Sequence, residues 1–123
     1  MNPSFLSSLP SVLCKTLLGL IFFSTLLFAN PVRAENEALT KLMVANNCMA
    51  CHQIDKSGNG PQFNEVSGKY IGDKTAATKL AAKIKAGGSG VWGEDMMPPQ
   101  AQVSDADAKT IVKLILALPP YKK

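Results

Sequence analysis

Apolar residues recur at helical spacing in the chain from residue 37 onward, between loops that are rich in glycine and proline. The pattern predicts helices over about 37–47, 63–69, 73–86 and 104–118, with Asp73 or Thr75 as the first residue of the third helix. Three of these helices have an apolar stripe, formed by Leu39, Leu42 and Met43, by Ala77, Leu80, Ala81 and Ile84, and by Ala108, Ile111, Val112, Ile115 and Leu118. No segment alternates apolar and polar residues as a strand would, so we predict an all-α fold.

Residues with known preferences for helix ends support these boundaries. Asn36 is a suitable N-cap for the first helix, and Gly87-Gly88 is a typical C-terminal signal for the third. The segment Ser104-Asp105-Ala106-Asp107 resembles a capping box before the last helix, and Pro119-Pro120 ends that helix.

The N-terminal segment predicts a signal peptide, residues 1–34, rather than part of the fold. Lys15 precedes an apolar run, and Val32-Arg33-Ala34 offers the small residues that a signal peptidase recognises, so we predict cleavage after Ala34. An uncleaved membrane anchor is the alternative, although the run is shorter than the roughly 18 apolar residues of a typical spanning helix. Residues 35–123 would then form a single small domain. Its weak net charge and lack of a basic stripe with aromatic residues argue against nucleic-acid binding.

The segment Cys48-Met49-Ala50-Cys51-His52 matches the C-x-x-C-H pattern of covalent haem attachment. Each thiol can bond one vinyl group of a haem, and His52, the only histidine in the chain, can ligate the iron. A thioredoxin-like dithiol needs a βαβ context that the pattern lacks, and a structural zinc site needs four ligands. A plain disulfide or a chance match is the remaining alternative. We predict one haem c, bound through Cys48 and Cys51.

A methionine is the expected second iron ligand, because a thioether commonly pairs with histidine in cytochromes c. Helix packing explains Met43 better than ligation does, and the methionine inside the attachment segment cannot reach the other haem face. Met96 and Met97 lie in the irregular stretch 87–103, which is long for a loop without function in so small a domain. Pro98-Pro99 stiffens the backbone after Met97 and favours it as the ligand. Ligation by Met96, or simple loop packing of both residues, are the alternatives.

A set of motifs, in this order and spacing, resembles the short bacterial class I cytochromes c of the c-551/c-552 group. The motifs are Cys48-Met49-Ala50-Cys51-His52, Gly60-Pro61, Lys83-Ile84-Lys85, Gly90-Val91-Trp92-Gly93, Met97-Pro98-Pro99 and Val103-Ser104-Asp105-Ala106-Asp107-Ala108. The resemblance spans essentially all of residues 35–123. It implies a small all-α monohaem fold in which helices surround a covalently attached haem.

The resemblance also implies roles for single residues. It implies that the Pro61 carbonyl accepts a hydrogen bond from the ligand histidine, His52. It further implies that Trp92 donates to a haem propionate and that Lys83 lies near the same propionate. The methionine directly before Pro-Pro is the ligand in this family, which selects Met97 as the second iron ligand.

The chain departs from the family pattern beside the ligand methionine. Relatives often place an apolar residue and a proline before it, whereas Asp95 and Met96 stand there in this chain. Relatives also often place an asparagine after Pro-Pro, and its amide donates to the methionine sulfur. Gln100 occupies that position here.

An iron with histidine and methionine on its two axial positions has no open site for a substrate, so we predict a one-electron carrier and not an enzyme. We expect a periplasmic monomer that binds redox proteins but neither nucleic acid nor a small-molecule substrate. Relatives suggest nitrite reductase or a terminal oxidase as acceptor and a membrane quinol-oxidising complex as donor. A gas sensor or peroxidase-like enzyme is one alternative, and a respiratory-complex subunit anchored by an uncleaved N-terminus is another.

Overall fold

The structure, a computed structural model, describes residues 31–122. Four α-helices form within this range: α1 (Pro31–Ala45), α2 (Phe63–Lys69), α3 (Ala76–Ala86) and α4 (Asp105–Ala117). A single turn of 3-10 helix, Cys48–Ala50, follows α1. Among the described residues, the only β-type pairing is an isolated antiparallel bridge between Gly88 and Met97. The predicted all-α fold is therefore confirmed.

The last helix, α4, is the centre of the packing and contacts both α2 and α3. Its buried residues join apolar residues from α1, α2 and the loop before α4. The resulting core consists of Leu39, Met43, Phe63, Val66, Val103, Ala108, Ile111, Ile115 and Leu118. Burial of each large side chain in such a core stabilises a fold by about 1.5–3 kcal/mol. Met43 is completely buried, which confirms that helix packing explains this methionine.

The start of α4 forms as predicted. The Ser104 backbone is extended, and its side-chain oxygen accepts a hydrogen bond from the Asp107 N–H at 3.0 Å. This bond satisfies one of the N–H groups that have no partner inside the helix. Asp105 and Asp107 place two negative charges in the first turn, where the helix dipole stabilises them.

The predicted start of α1 is wrong, because the helix begins at Pro31 and not at Glu37. Asn36 lies inside the helix, where its carbonyl accepts a hydrogen bond from the Thr40 hydroxyl at 2.8 Å, so it is no N-cap. A proline is tolerated in the first turn because the missing N–H would have no intrahelical partner there. An ion pair of 3.1 Å between Arg33 and Glu37 links two successive turns of this extension.

The predicted cleavage site after Ala34 falls within α1, and residues 1–30 of the predicted signal peptide lie outside the described residues. Within residues 31–122, no helix combines the length and the apolar character needed to cross a membrane.

The apolar face of α3 begins one residue earlier than predicted, since Ala76 is buried and Ala77 is exposed. Just before this helix, the Asp73 carboxylate accepts hydrogen bonds from the hydroxyl and the backbone N–H of Thr75, at 2.5 and 2.8 Å. Lys79 adds an ion pair at 3.1 Å. These partners favour the charged carboxylate, and the hydrogen bonds from Thr75 are the main reason that the pKa of Asp73 falls to about 2.

Candidate haem site

The attachment segment folds as a tight turn directly after α1. Asn47 adopts a left-handed conformation, with φ 61°, which ends the helical path and starts the 3-10 turn. The Cys48 carbonyl then accepts hydrogen bonds from the N–H groups of Cys51 and His52, at 3.2 and 3.0 Å. The backbone therefore returns on itself, and the two cysteines and the histidine are held on one short turn.

Both cysteines of this turn are free thiols, Cys48 half-buried and Cys51 exposed. Burial raises the pKa of the Cys48 thiol, because the charged thiolate loses solvation. Among residues 31–122, no three or more His, Cys, Asp or Glu side chains are grouped so that they could hold a metal ion by themselves. The donor set of this turn thus differs from that of a structural zinc site.

The His52 ring is held on several sides. Its Nδ1 lies 3.0 Å from the Pro61 carbonyl oxygen, and its plane stacks on the Phe63 ring with centroids 5.1 Å apart. Gly60 lies against the same ring: a Cβ at that position would stand only 2.7 Å from Nδ1 and 2.9 Å from Nε2. The absence of a side chain at Gly60 is therefore what allows the ring to occupy this position.

The Pro61 contact fixes which ring nitrogen of His52 carries the proton. A backbone carbonyl can only accept a hydrogen bond, so Nδ1 must be the donor and the neutral ring keeps its lone pair on Nε2. A metal-binding histidine commonly donates its other ring N–H to such an acceptor, which orients the ring and strengthens the ligand.

The loop between the attachment turn and α2 is tied to both. The Gly60 N–H donates to the Cys51 carbonyl at 2.9 Å, and the Phe63 N–H donates to the Gln53 carbonyl at 3.0 Å. A Cβ at Gly58 would stand 2.9 Å from the Cys51 carbonyl oxygen. Sequence reasoning missed the role of Phe63 against His52, although an aromatic residue two positions after Gly60-Pro61 was the available signal.

Met97 lies on a loop segment, residues 96–100, which we call the strap. Both backbone polar groups of Met97 are hydrogen-bonded. The Gly88 N–H donates to the Met97 carbonyl at 2.8 Å, and the Met97 N–H donates to the Gly88 carbonyl at 3.2 Å. Gly87, with φ 67°, touches the same strap closely, because a Cβ there would stand 2.7 Å from the Pro99 nitrogen. Met97 is half-buried, whereas the Met96 side chain is 69% exposed.

The Gln100 side chain forms a hydrogen bond with the strap backbone. Its amide nitrogen donates to the Pro98 carbonyl at 2.8 Å, and its amide oxygen accepts from the Gln102 side chain at 2.7 Å. The Gln100 backbone N–H also donates to the Ile84 carbonyl at 3.2 Å, which ties the end of the strap to α3.

Lys83 lies in the last turn of α3, and Trp92 lies in the irregular stretch that follows this helix. Trp92 is 39% exposed, and the Lys69 ammonium lies 4.9 Å from the centroid of its indole ring, a cation–π arrangement. Lys83 is half-buried in the last turn of α3, and its Nζ would be 2.9 Å from a Cβ at Gly88. Sequence reasoning missed Lys69, because nothing local indicates that the end of α2 meets residue 92.

The model of the cytochrome c family matches residues 38–119, which is more than half of the chain. The chain belongs to the cytochrome c family. Cytochrome c-552 of Nitrosomonas europaea is 46% identical to this cytochrome over 101 residues, which cover 82% of this chain and 94% of the relative. Cytochrome c-551 of Azotobacter vinelandii is 50% identical over 76 residues, which cover 62% of this chain and 92% of the relative.

Solved structures agree with this assignment. The crystal structure of wild-type Nitrosomonas europaea cytochrome c552 matches this cytochrome with a TM-score of 0.63 and 49% identity, over 64% of this chain and 98% of that one. The class 1 cytochrome MtoD of Sideroxydans lithotrophicus matches with a TM-score of 0.56 and 30% identity, over 66% of this chain and 92% of that one. The predicted class I cytochrome c fold of the c-551/c-552 type is confirmed.

The described residues fit a haem. The attachment turn offers two free thiols, and the His52 ring presents a nitrogen lone pair. Large apolar side chains are exposed in the attachment turn and in the loop before Met97, among them Met49 at 41% and Val91 at 44%. This cytochrome therefore carries one covalently bound haem c at the Cys48/Cys51 motif and is an electron carrier and not an enzyme.

Proposed function

We propose that this cytochrome is a periplasmic one-electron shuttle in which His52 and Met97 would hold the haem iron. The observation that carries the proposal is the hydrogen bond between His52 Nδ1 and the Pro61 carbonyl, because it leaves the Nε2 lone pair for the metal. When bound, the haem supplies an iron that gains or loses one electron. The residues of the chain decide how steadily its two ligands are held.

Three contacts support His52 as a fixed ligand. The Pro61 carbonyl sets the tautomer, and the Phe63 ring stacks on one face of the imidazole. Gly60 lies so close that a Cβ built on it would stand less than 3 Å from three atoms of the ring. A ring held in this way needs little rearrangement when the iron charge changes. A small rearrangement favours rapid exchange of electrons with a partner.

The strap geometry supports Met97 over Met96. The backbone of Met97 is bonded to Gly88 through both its N–H and its carbonyl, and its side chain is half-buried. The Met96 side chain is mostly exposed. A thioether ligand stabilises ferrous iron, so we expect a reduction potential in the upper range for haem proteins. The Gln100 amide binds Pro98, so the proposal assigns it no role toward the Met97 sulfur.

Trp92 and Lys83 are proposed to contact the haem propionates, as the resemblance implies. Both side chains are hydrogen-bond donors; Lys83 lies in the last turn of α3, and Trp92 lies in the irregular stretch that follows this helix. Lys69 lies over the Trp92 ring and adds a second positive charge beside it.

Export is proposed through cleavage after Ala34. The cut would remove the first turn of α1 and leave Glu35 and Glu37 in the new first turn, where negative charge is favourable. In the periplasm, the expected partners are a membrane quinol-oxidising complex as donor and nitrite reductase or a terminal oxidase as acceptor. Such encounters typically bury a small interface, which suits a monomeric shuttle. The intact mass of the purified protein, measured with membrane fractionation, distinguishes a cleaved shuttle from an anchored subunit.

The ligand assignment is tested by visible spectra of three ferric holoproteins: wild type, Met97→Ala and the matched control Met96→Ala. We expect the weak red-region band of iron-bound methionine sulfur in the wild type and the control, and its loss in Met97→Ala. Loss in the control alone would assign the ligand to Met96. A wild type that lacks the band and binds carbon monoxide readily would contradict the shuttle and support a sensor or an enzyme.

A further inference from the structure

The C-terminal tail, residues 118–121, does not leave the fold after α4 but turns back onto α2. Leu118 is extended and 6% exposed, so its side chain still belongs to the core. Its carbonyl accepts a hydrogen bond from the Ser67 hydroxyl of α2 at 2.6 Å, and Ser67 is only 4% exposed. A buried hydroxyl that lost this acceptor would carry a desolvation cost, so the contact fixes the tail to α2.

Two further contacts continue this attachment beyond Leu118. The Tyr121 N–H donates to the Asn64 carbonyl at 3.1 Å. A Cβ built at Gly68 would stand 3.4 Å from the Pro120 Cβ, so the tail runs in van der Waals contact with α2 across a position without a side chain. Two successive prolines before Tyr121 restrict the backbone of the tail and lower the entropy lost when it docks.

α2 needs such support because it has only seven residues. A helix of this length is unstable by itself and depends on tertiary contacts. Its first residue, Phe63, stacks on the His52 ring, and the Phe63 and Asn64 N–H groups donate to the loop carbonyls of Gln53 and Ile54 at 3.0 and 3.1 Å. Movement of α2 would therefore move the surface that supports the imidazole.

We propose that the C-terminal tail is a clamp that positions His52 through α2 and Phe63. Ser67 of α2 binds the tail, and Tyr121 of the tail binds α2. Both are positioning residues in this role, since the hydrogen bonds that define it do not involve the imidazole. The inference rests on the proposed function of His52 as an iron ligand. It adds that the tail governs how firmly the ligand ring is held.

The test uses the ferrous holoprotein and two variants at one position. Tyr121→Pro removes the N–H that donates to Asn64, whereas the matched control Tyr121→Ala keeps that N–H and removes only a ring that is 47% exposed. A third variant ends at Leu118, and its control ends at Tyr121. Hydrogen exchange followed by NMR is measured for the His52 Nδ1 proton, the α2 amides and the core amides of α4.

We expect faster exchange of the His52 Nδ1 proton and the α2 amides in Tyr121→Pro and in the chain that ends at Leu118. The increase should be about fivefold, the ratio that one hydrogen bond of ordinary strength supports. The α4 core amides should exchange as in the wild type, and both controls should match the wild type throughout. Selective acceleration supports a positioning role, because a merely stabilising tail would speed exchange in α2 and α4 alike.

Two results would overturn the clamp: unchanged exchange at His52 in both test variants, or equal acceleration in α2 and α4. Failure of the proposed function has a different signature. A wild-type His52 ring whose proton signals lack the large shift caused by the haem ring current would show that His52 is not the ligand. The wild-type spectrum therefore separates the two failures before any variant is compared.

Discussion

Gly60→Ala should displace the His52 ring, because the added methyl group would stand 2.7 Å from Nδ1 and 2.9 Å from Nε2, and nearer still to Cε1. Carbon and nitrogen atoms without a hydrogen bond need about 3.5 Å or more. The φ angle of Gly60 is not in the left-handed region, so alanine can adopt the same backbone conformation. The substitution thus tests the steric contact with the histidine and not backbone strain.

The expected cost follows from what the ring must give up when it moves. Its hydrogen bond to the Pro61 carbonyl contributes about 1 kcal/mol, and its stacking on Phe63 contributes about 0.5–1.5 kcal/mol. Extra methyl groups in packed sites generally cost about 1–3 kcal/mol, which agrees with this sum. Alanine also restricts the unfolded chain, which stabilises the fold by about 0.5 kcal/mol. We expect a net loss of about 1–2 kcal/mol in the free energy of unfolding.

Urea unfolding of the ferric holoprotein, followed by far-ultraviolet circular dichroism, measures this loss as a lower midpoint with an unchanged slope. Gly68→Ala is the matched control, because it makes the same chemical change inside α2, 3.4 Å from the Pro120 side chain. It should stabilise the protein by about 0.5–1 kcal/mol through helix propensity. A Gly60→Ala protein with wild-type stability and an unaltered haem spectrum would refute the placement of the ring against this glycine.

Two further predictions concern the strap and the pH dependence of stability. Gly87→Ala should displace the Met97 strap and weaken the red-region band of the ferric protein, because the new methyl group would collide with the strap backbone. Gly90→Ala is the control: Gly90 also has a positive φ angle but open space around it, so this variant should keep the band. Hydrogen bonds from Thr75, with a smaller contribution from Lys79, lower the pKa of Asp73 from 3.8 to about 2, so this contribution to stability is present above about pH 4 and is lost as the pH falls to about 2. Unfolding midpoints from pH 5 to 2 should therefore fall more steeply in the wild type than in Asp73→Asn, and equal slopes would contradict the role of these hydrogen bonds.

The features that the sequence predicted correctly are those set by local chemistry. Capping of α4 by Ser104 needs only the next three residues, and the end of α3 at Gly87 needs only a glycine at a left-handed position. Burial of Met43 followed from its place on a helical stripe. The contact of His52 with the Pro61 carbonyl was expected only because of the family resemblance, since nine residues separate the two and no periodicity links them.

The features that the sequence did not predict depend on contacts between distant residues. Ser67 and Leu118 are 51 positions apart, and the approach of Lys69 to Trp92 joins the end of α2 to an irregular loop. Such pairs are decided by how the helices pack and leave no periodic signal. The early start of α1 at Pro31 is a different case, because cap preferences fix helix boundaries only weakly when a helix can continue in either direction.

The two proposed iron ligands are held in place by different kinds of contact. A carrier that must work in two oxidation states needs ligands whose positions do not depend on the iron charge. His52 is held through its side chain, by a carbonyl, an aromatic face and a glycine. Met97 has a flexible side chain, and its backbone is fixed by the two hydrogen bonds to Gly88. A seven-residue α2 depends on tertiary contacts, and the hydrogen bond from Ser67 to the Leu118 carbonyl is one of them, so the proposed clamp would act on the histidine side of this arrangement.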